Sequence, residues 1–294
     1  MSELTIRDIA NMSGVSVSTV SRVINGNGKV IEQNKKKVQE VLAQTGFVPN
    51  ISARTLKSKK SYTIGLIVTD ISDRYYSLMT KTLAEALTEK DYSLIVCCTD
   101  NKPSKEKMFF DFLSAKNVDG LIINTAGGID NEITNLANRI PVVLVNRKIT
   151  TTRDDVKFDY VGMDDINGAY ELTKYLLSIG HKKIGIINGQ MNVSSGWERN
   201  NGFEKAMAEA GLPIHQDYKF RYNGEYNIKT GWEGARYLLT QDDKPTAIIA
   251  MNDSITIGVM KYCQRNKIDF LKTFPSLHTV MSIIQSFFPF VQIA

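Results

Sequence analysis

The sequence predicts a two-part protein, with a small all-α domain at the N-terminus followed by an α/β core of parallel sheets. Two short helical patterns separated by a glycine lie within the first 25 residues. From Tyr62 onward, short apolar runs alternate with longer amphipathic segments, which is typical of strands and helices that alternate along the chain. At 294 residues and 43% hydrophobic composition, the chain is long enough for such a core of one or two lobes.

The first two predicted helices meet at a tight turn. Thr5 can cap the first helix, because its side chain can accept a hydrogen bond from a free backbone N–H group. Gly14 can adopt the positive φ that a sharp reversal needs. Ser16 and Thr19 then offer a second cap, so we predict that the second helix begins at Val17.

The second helix is predicted to have one packed face and one free face. At about 100° per residue, Val20, Val23 and Ile24 fall on the packed side. The free side carries Val17, Ser18, Ser21 and Arg22. A helix–turn–helix places the start of its second helix in the major groove of DNA, where an arginine fork can pair with guanine. Arg22 is therefore the candidate reader of a base, and the alternative is a helical hairpin with an ordinary polar surface.

A third predicted helix, near residues 32–44 and stopped by Gly46, completes a helix–turn–helix headpiece over residues 1–46. Residues 1–60 hold ten Lys and Arg against four Asp and Glu, whereas residues 61–294 hold 26 against 27. A basic small domain on a nearly neutral body is typical of contacts with nucleic-acid phosphates. A solvated lysine-rich surface is the alternative.

Residues 47–61 are predicted to form a hinge or linker. The segment 50–56 begins with a capping residue, Asn50, but it is too short to be a stable helix alone in water. We expect it to order only when another molecule or domain holds it. The alternative is a plain linker that buries one leucine, Leu56.

The predicted core covers residues 62–294. Its predicted strands are 63–69, 92–98, 119–124, 141–145, 160–163, 183–188 and 247–250, and its predicted helices are 75–90, 105–116, 166–179, 199–210 and 229–239. This alternation indicates parallel sheets covered by helices on both faces. The break after residue 145 suggests two lobes, and the cleft between them, at the carboxyl ends of the strands, is the expected ligand site.

Residues 8–25 read DIANMSGVSVSTVSRVIN and match, almost throughout, the pattern D-[IV]-A-x-x-[AS]-G-V-S-x-x-T-V-S-R-x-[IL]-N. The chain therefore resembles the LacI/GalR family of bacterial transcription regulators, more loosely as far as about residue 266. The resemblance implies a two-lobed core like that of periplasmic sugar-binding proteins. It also implies a homodimer on double-stranded operator DNA, a repressor of carbohydrate-utilisation genes, and a small-molecule effector between the lobes.

The resemblance also assigns DNA contacts. Val17, Ser18 and Arg22 are expected to read bases. The protein is expected to be positioned by nearby lysines and by Thr5, Ser16, Thr19 and Asn25, and the further predicted DNA contacts are Ser21 and Asn50. The segment 50–56 corresponds to a hinge helix that forms on the operator. Leu56 takes the place of the leucine that wedges into the minor groove, and Ala53 that of its close-packing neighbour.

Sugar recognition uses flat rings that stack on the sugar and amides or forked donors that pair with its hydroxyls. Such side chains lie at predicted strand ends or in the loops after them, and they are Asp70, Tyr75, Tyr76, Asn146, Arg147, Arg199, Tyr226 and Asn252. The resemblance matches Arg199 to an effector-binding arginine, Asn252 to an N-D pair, and Tyr226 to a ring-stacking position. Each could instead be a loop hydrogen-bonder or part of a surface ion pair. Arg147 with Arg199 opposite suggests a sugar acid or a sugar phosphate.

Catalysis, metal binding and a cofactor are not expected. The three cysteines form no C-x-x-C, the three histidines are scattered, and the sequence contains no G-x-S-x-G, G-x-x-x-x-G-K-[ST] or H-E-x-x-H. An α/β enzyme tethered to DNA is the alternative from another functional class.

Residues 267–294 depart from the family pattern, and none after Lys272 is charged. Such a tail suggests a truncated or frame-shifted end, and it keeps open a regulator remnant that binds DNA without responding to an effector. No apolar leader and no run of about 20 apolar residues precedes the tail, so we expect a cytoplasmic protein without a membrane partner.

Overall fold

The structure is a computed structural model that describes residues 4–26, 28–47, 60–149, 158–215, 217–268 and 291–293. The chain divides into two compact units, one ending at Ser61 and the other starting at Tyr62. Asn50, Ala53 and Leu56 of the predicted hinge lie outside the described residues.

The N-terminal unit contains three described helices, α1 (Ile6–Ser13), α2 (Val17–Asn25) and α3 (Glu32–Thr45). Thr5 and Asp8 form a reciprocal cap on α1, because each side chain accepts a hydrogen bond from the backbone of the other. Gly14 turns the chain with φ 65°, and the Ser16 hydroxyl accepts from the Thr19 N–H to start α2 at Val17. The predicted cap of α1 at Thr5 and the predicted start of α2 at Val17 are confirmed.

The headpiece core joins the three helices around five buried residues: Ile9, Ala10, Val20, Val38 and Val41. Val15 from the turn and Phe47 after α3 pack against this cluster. Only one side of α2 is used in this packing, so its other side is left at the surface.

The first lobe of the second unit contains one sheet of six strands, in the order β2-β1-β3-β4-β5-β9. Its strands are β1 (Thr63–Val68), β2 (Ser93–Cys98), β3 (Gly120–Ile123), β4 (Val142–Val145), β5 (Asp159–Met163) and β9 (Val291–Ile293). β1 to β5 pair in parallel, and β9 pairs antiparallel with β5. The helices of this lobe are α4 (Arg74–Thr88), α5 (Pro103–Ala115) and α6 (Asp130–Ala137).

The second lobe contains a parallel sheet in the order β7-β6-β8. Its strands are β6 (Ile184–Asn188), β7 (Arg221–Asn223) and β8 (Ala247–Ala250), and its helices are α7 (Asp165–Ser178), α8 (Ser194–Glu209), α9 (Ile228–Leu239) and α10 (Asp253–Arg265).

Helices cover both faces of both sheets, as the apolar strands require. In the first lobe, Phe110 of α5 and Ile133 of α6 pack on one face, and Tyr76 of α4 packs on the other. In the second lobe, α7 and α8 cover one face, while α9 and α10 cover the other. The predicted layered α/β architecture is confirmed.

The predicted lobe boundary after residue 145 is wrong by one strand. β5 stays in the first sheet, because Val143 to Val145 pair with Asp159 to Val161 and the Tyr160 ring is buried in the core of the first lobe. The sequence reading also missed α6, β7 and β9, which are short, and α10, whose buried residues Ile255, Val259 and Tyr262 follow a helical period.

Arg199 was expected at the start of a helix, but α8 begins earlier, at Ser194. Gly196, which precedes the predicted helix 199–210, lies in the first turn of α8, where a Cβ would come within 1.8 Å of the Gln190 carbonyl oxygen. The glycine is required by close packing, and Arg199 consequently projects from the second turn of the helix.

Candidate functional site: an interlobe cavity and the exposed face of α2

A cavity of about 410 Å³ lies between the two lobes of the second unit, at the carboxyl ends of the strands. All of the predicted effector-site residues line it: Asp70, Tyr75, Tyr76, Asn146, Arg147, Arg199, Tyr226 and Asn252. The sequence reading missed several other lining residues, including Asp73, Asn101, Met163 and Ser195. The sequence offered a signal for Asp73, because an aspartate just before the predicted helix 75–90 is a typical N-cap. In the structure its carboxylate caps α4 by accepting from the Tyr75 N–H at 2.9 Å.

A hydrogen-bond chain fixes the first-lobe wall of the cavity. The Tyr76 hydroxyl donates to Asn124 Oδ1 at 2.9 Å, and Asn146 Nδ2 donates to the Tyr76 oxygen at 3.2 Å. Burial raises the pKa of Tyr76, so this phenol remains a neutral donor at physiological pH. Asn146 Oδ1 is buried and has no hydrogen-bond partner among the described residues. The amide is therefore held in place with one acceptor atom still unused.

Arg199 is anchored inside the second lobe. Its Nε donates to Asp165 Oδ1 at 2.8 Å, and its Nη1 donates to the Met251 carbonyl oxygen. Burial alone would lower the pKa of Arg199, but the Asp165 carboxylate, together with Tyr226 and Tyr76, raises the pKa overall. The charge of Arg199 is thus balanced within the protein.

Arg147 is almost completely buried, with 2% of its surface exposed. Its Nη1 donates to the Thr125 carbonyl oxygen at 2.7 Å and to Asn101 Oδ1 at 3.0 Å. Within the described part of the chain it forms no ion pair, and its buried Nε has no acceptor. Arg147 therefore differs from Arg199 in having no ion-pair partner among the described residues.

The Tyr226 ring contacts both guanidinium groups, one from each lobe. Its centroid lies 5.5 Å from Cζ of Arg147 and 5.7 Å from Cζ of Arg199, within the range of cation–π attraction. Gly189 makes room for the ring, because a Cβ there would come within 2.4 Å of it. The ring thereby connects the two lobes at the cavity wall.

Carboxylates from both lobes also line the cavity. Burial raises the pKa of Asp73, and the neighbouring carboxylates of Asp253 and Asp70 raise it further. Asp73 belongs to the first lobe and Asp253 to the second, so bringing the lobes closer increases their mutual repulsion.

A further contact ties the lobes together beside the cavity. The backbone N–H of Lys148 donates to Ser194 Oγ at 2.8 Å, and Lys148 Nζ pairs with Glu198 Oε1 at 2.8 Å. The Glu198 side chain is almost fully buried, which makes this pair less screened than an ordinary surface ion pair.

The second candidate surface is the outward side of α2. Val17 is 40% exposed although it is apolar, and Ser18 and Arg22 are also exposed. Ser16 caps α2 through the Thr19 N–H at 3.2 Å, and its hydroxyl lies 2.8 Å from that of Ser18. Ser21 is half-buried on the same helix, and Asn25 is the last residue of α2. A rigid, capped helix thus presents a short row of small side chains and one arginine to the surface.

The described residues offer no group of three or more His, Cys, Asp or Glu arranged to hold a metal ion. No helix in the described ranges is long and apolar enough to cross a membrane.

The chain matches two family profiles. Residues 5–50 match "Bacterial regulatory proteins, lacI family", and residues 61–285 match "Periplasmic binding proteins and sugar binding domain of LacI family". The second match extends beyond residue 266, where the family resemblance recognised from the sequence alone ends.

Three similar proteins illustrate the extent of the likeness. The transcriptional regulator DegA of Bacillus subtilis is 34% identical over 261 residues, which cover 87% of this chain and 75% of DegA. The transcriptional repressor PurR of Histophilus somni is 34% identical over 258 residues, covering 87% and 76%. The structure of the lac repressor dimer bound to operator and an anti-inducer superposes with a TM-score of 0.77 at 22% identity, covering 93% and 81%.

The family profiles together match more than half of the chain, and two relatives are 34% identical over most of it. The chain belongs to the lacI family of bacterial regulatory proteins and is a DNA-binding transcription regulator with a small-molecule effector.

Proposed function

We propose that the protein is a cytoplasmic homodimeric repressor of carbohydrate-utilisation genes. It binds a roughly palindromic operator through α2 and the hinge, and a sugar, sugar acid or sugar phosphate in the cavity changes its operator affinity. The observation that carries this proposal is the convergence of rings, amides and guanidinium groups from both lobes on one cavity. The protein acts by binding and does not transform its effector.

The DNA contacts divide into reading and positioning. Val17, Ser18 and Arg22 are exposed on α2, so they read base edges in the major groove. Nearby lysines and a set of polar residues position the protein on the DNA, and this set consists of Thr5, Ser16, Thr19 and Asn25. Ser21 and Asn50 complete the proposed DNA contacts. Leu56 wedges into the minor groove at the operator centre, with Ala53 as its close-packing neighbour.

The cavity groups supply complementary hydrogen bonds for a polyhydroxylated ligand. Asn146 Oδ1 has no partner among the described residues and accepts from a ligand hydroxyl. Asn252 Oδ1 already caps α10 through the Ile255 N–H at 2.9 Å, so its Nδ2 is the atom that faces a ligand. Tyr75 lines the cavity and is partly exposed, so its ring supplies an apolar stacking face.

The effector acts because the two lobes form the two walls of one cavity. A ligand shifts a conformational equilibrium only by binding two states with different affinity. A ligand that contacts Asn146 in the first lobe and Asn252 in the second has a different affinity for each lobe arrangement.

Selection of binding sites from random duplex DNA with the purified full chain tests the DNA half of this proposal. We expect the selected sequences to share two inverted half-sites. Recovery of sequences without any shared half-site would contradict sequence-specific recognition by α2. Calorimetry of the same preparation with sugars, sugar acids and sugar phosphates tests the effector half.

A further inference from the structure

Arg147 forms no ion pair with any described residue. A guanidinium removed from water requires a compensating anion or several hydrogen bonds, because desolvation disfavours an isolated charge. Arg147 has two acceptors on one nitrogen, Nη1, whereas its buried Nε has none. Arg199, which lines the same cavity, is by contrast paired with Asp165.

A buried carboxylate, that of Glu106, contacts the same residue as Arg147 does, namely Thr125. Glu106 of α5 is fully buried, and its Oε2 accepts from the Ala126 N–H at 2.7 Å and from the Thr125 hydroxyl at 3.3 Å. The carbonyl oxygen of the same Thr125 accepts from Arg147 Nη1 at 2.7 Å. Thr125 is therefore hydrogen-bonded to both side chains, through its hydroxyl to Glu106 and through its carbonyl oxygen to Arg147.

Glu106 is poised to change its protonation state near neutral pH. Burial raises its pKa to about 7, while the Ala126 N–H, the Thr125 hydroxyl and the charge of Arg147 each oppose this rise. Asp130, in the first turn of α6, raises the pKa further. Glu106 Oε1 has no hydrogen-bond partner among the described residues. The ionised form thus depends in part on the positive charge of Arg147.

We propose that Arg147 is the subsite for an anionic group of the effector, a carboxylate or a phosphate, and that Glu106 takes up a proton when this group binds. This proposal rests on the proposed function, since it names the chemical class of ligand for the same cavity. It also gives the two arginines different roles. Arg147 binds the anionic group, whereas Arg199 remains paired with Asp165.

The proton uptake follows from electrostatics. An anion bound at Arg147 offsets the positive field that stabilises the Glu106 carboxylate, so the protonated form becomes more favourable. Linkage then requires that affinity for the anion rises as the pH falls through neutrality. A neutral ligand leaves the charge of Arg147 unchanged and produces no such dependence.

Sulfate is a suitable probe, because it carries the charge of an anionic group and does not itself titrate near neutral pH. Thermal unfolding of the full chain is followed with sulfate or chloride at constant ionic strength, at pH 6 and at pH 8. We expect sulfate to stabilise the wild type, and more strongly at pH 6. In Arg147→Gln, half-maximal stabilisation should need about tenfold more sulfate, as expected from losing a charge-assisted hydrogen bond.

Two further variants and one control test which residues cause the sulfate stabilisation and its pH dependence. Glu106→Gln should keep the sulfate stabilisation but lose its pH dependence. Arg147→Lys, which keeps the charge, should retain most of the stabilisation, and this variant guards against a folding defect in Arg147→Gln. Arg139→Gln removes an exposed arginine of the same lobe and should behave like the wild type.

Equal sulfate stabilisation in the wild type and folded Arg147→Gln would overturn the anion subsite. A sulfate effect on the wild type that is the same at pH 6 and pH 8 would overturn the proton linkage. A neutral sugar that releases operator DNA equally from the wild type and Arg147→Gln would also refute this inference, while leaving the proposed function intact. Failure to bind any operator would instead refute the proposed function.

Discussion

Replacement of Glu106 by glutamine should remove a pH-dependent loss of stability. The pKa of the buried carboxyl is about 7 in the folded protein against an ordinary value of 4.5. The folded protein therefore binds more protons than the unfolded chain between these two values. The free energy of unfolding consequently falls as the pH rises through this window, and the contribution of Glu106 is fully present only below pH 4.5.

The size of this effect follows from the same two values. One pKa unit corresponds to about 1.4 kcal/mol, so the wild type should lose on the order of 3 kcal/mol of stability across the window relative to Glu106→Gln. Glutamine resembles the protonated carboxyl in shape and in lacking charge. It can still accept from the Ala126 N–H, as Glu106 does at 2.7 Å.

Urea unfolding followed by far-ultraviolet circular dichroism measures this difference between pH 5 and pH 8. The wild type should lose stability with rising pH more steeply than Glu106→Gln does. Glu89→Gln is the matched control, because Glu89 is exposed at the end of α4 and should leave the wild-type slope unchanged. Parallel pH profiles for the wild type and Glu106→Gln would refute the assignment of a raised pKa to Glu106.

Three other substitutions test the two sites. Arg22→Ala should cost about 1–3 kcal/mol of operator binding and relax the preference at one base pair per half-site, and gel shifts showing equal losses on operator and random DNA would contradict this role. Leu56→Ala should weaken operator binding while the circular dichroism spectrum stays helical, and an unchanged operator affinity would exclude a minor-groove wedge. Asp165→Asn should destabilise the core by about 3–5 kcal/mol, since it leaves the buried charge of Arg199 without its partner, and an unchanged urea midpoint would argue against that pairing.

The sequence predicted the cavity residues well for a topological reason. Parallel strands place their carboxyl ends at one edge of a sheet, so Asp70 after β1 and Asn146 after β4 had to lie near each other once the strands were recognised. The position of Arg199 was predicted through a family motif. Its helix start was not, because the packing need for Gly196 is visible only in three dimensions.

Other features could not be predicted from the pattern of residues. Glu106 lies in an amphipathic helix and resembles an ordinary surface glutamate in the sequence, so its complete burial emerges only from the packing of α5 against the loop after β3. The assignment of β5 to the first lobe depends on pairing with β4, which no local pattern encodes. The pairing of β9 with β5 likewise joins segments far apart in the chain.

Operator affinity of the full chain in the presence and absence of effector tests the central claim most directly. Fluorescence anisotropy with a labelled duplex from the site selection, titrated with matched pairs of neutral and anionic sugars, gives both the specificity and the response. We expect the operator to be bound more tightly than random DNA of equal length, and one anionic sugar to change that affinity in the wild type but far less in Arg147→Gln. Equal affinity for operator and random DNA, unchanged by any of the sugars, would contradict the account.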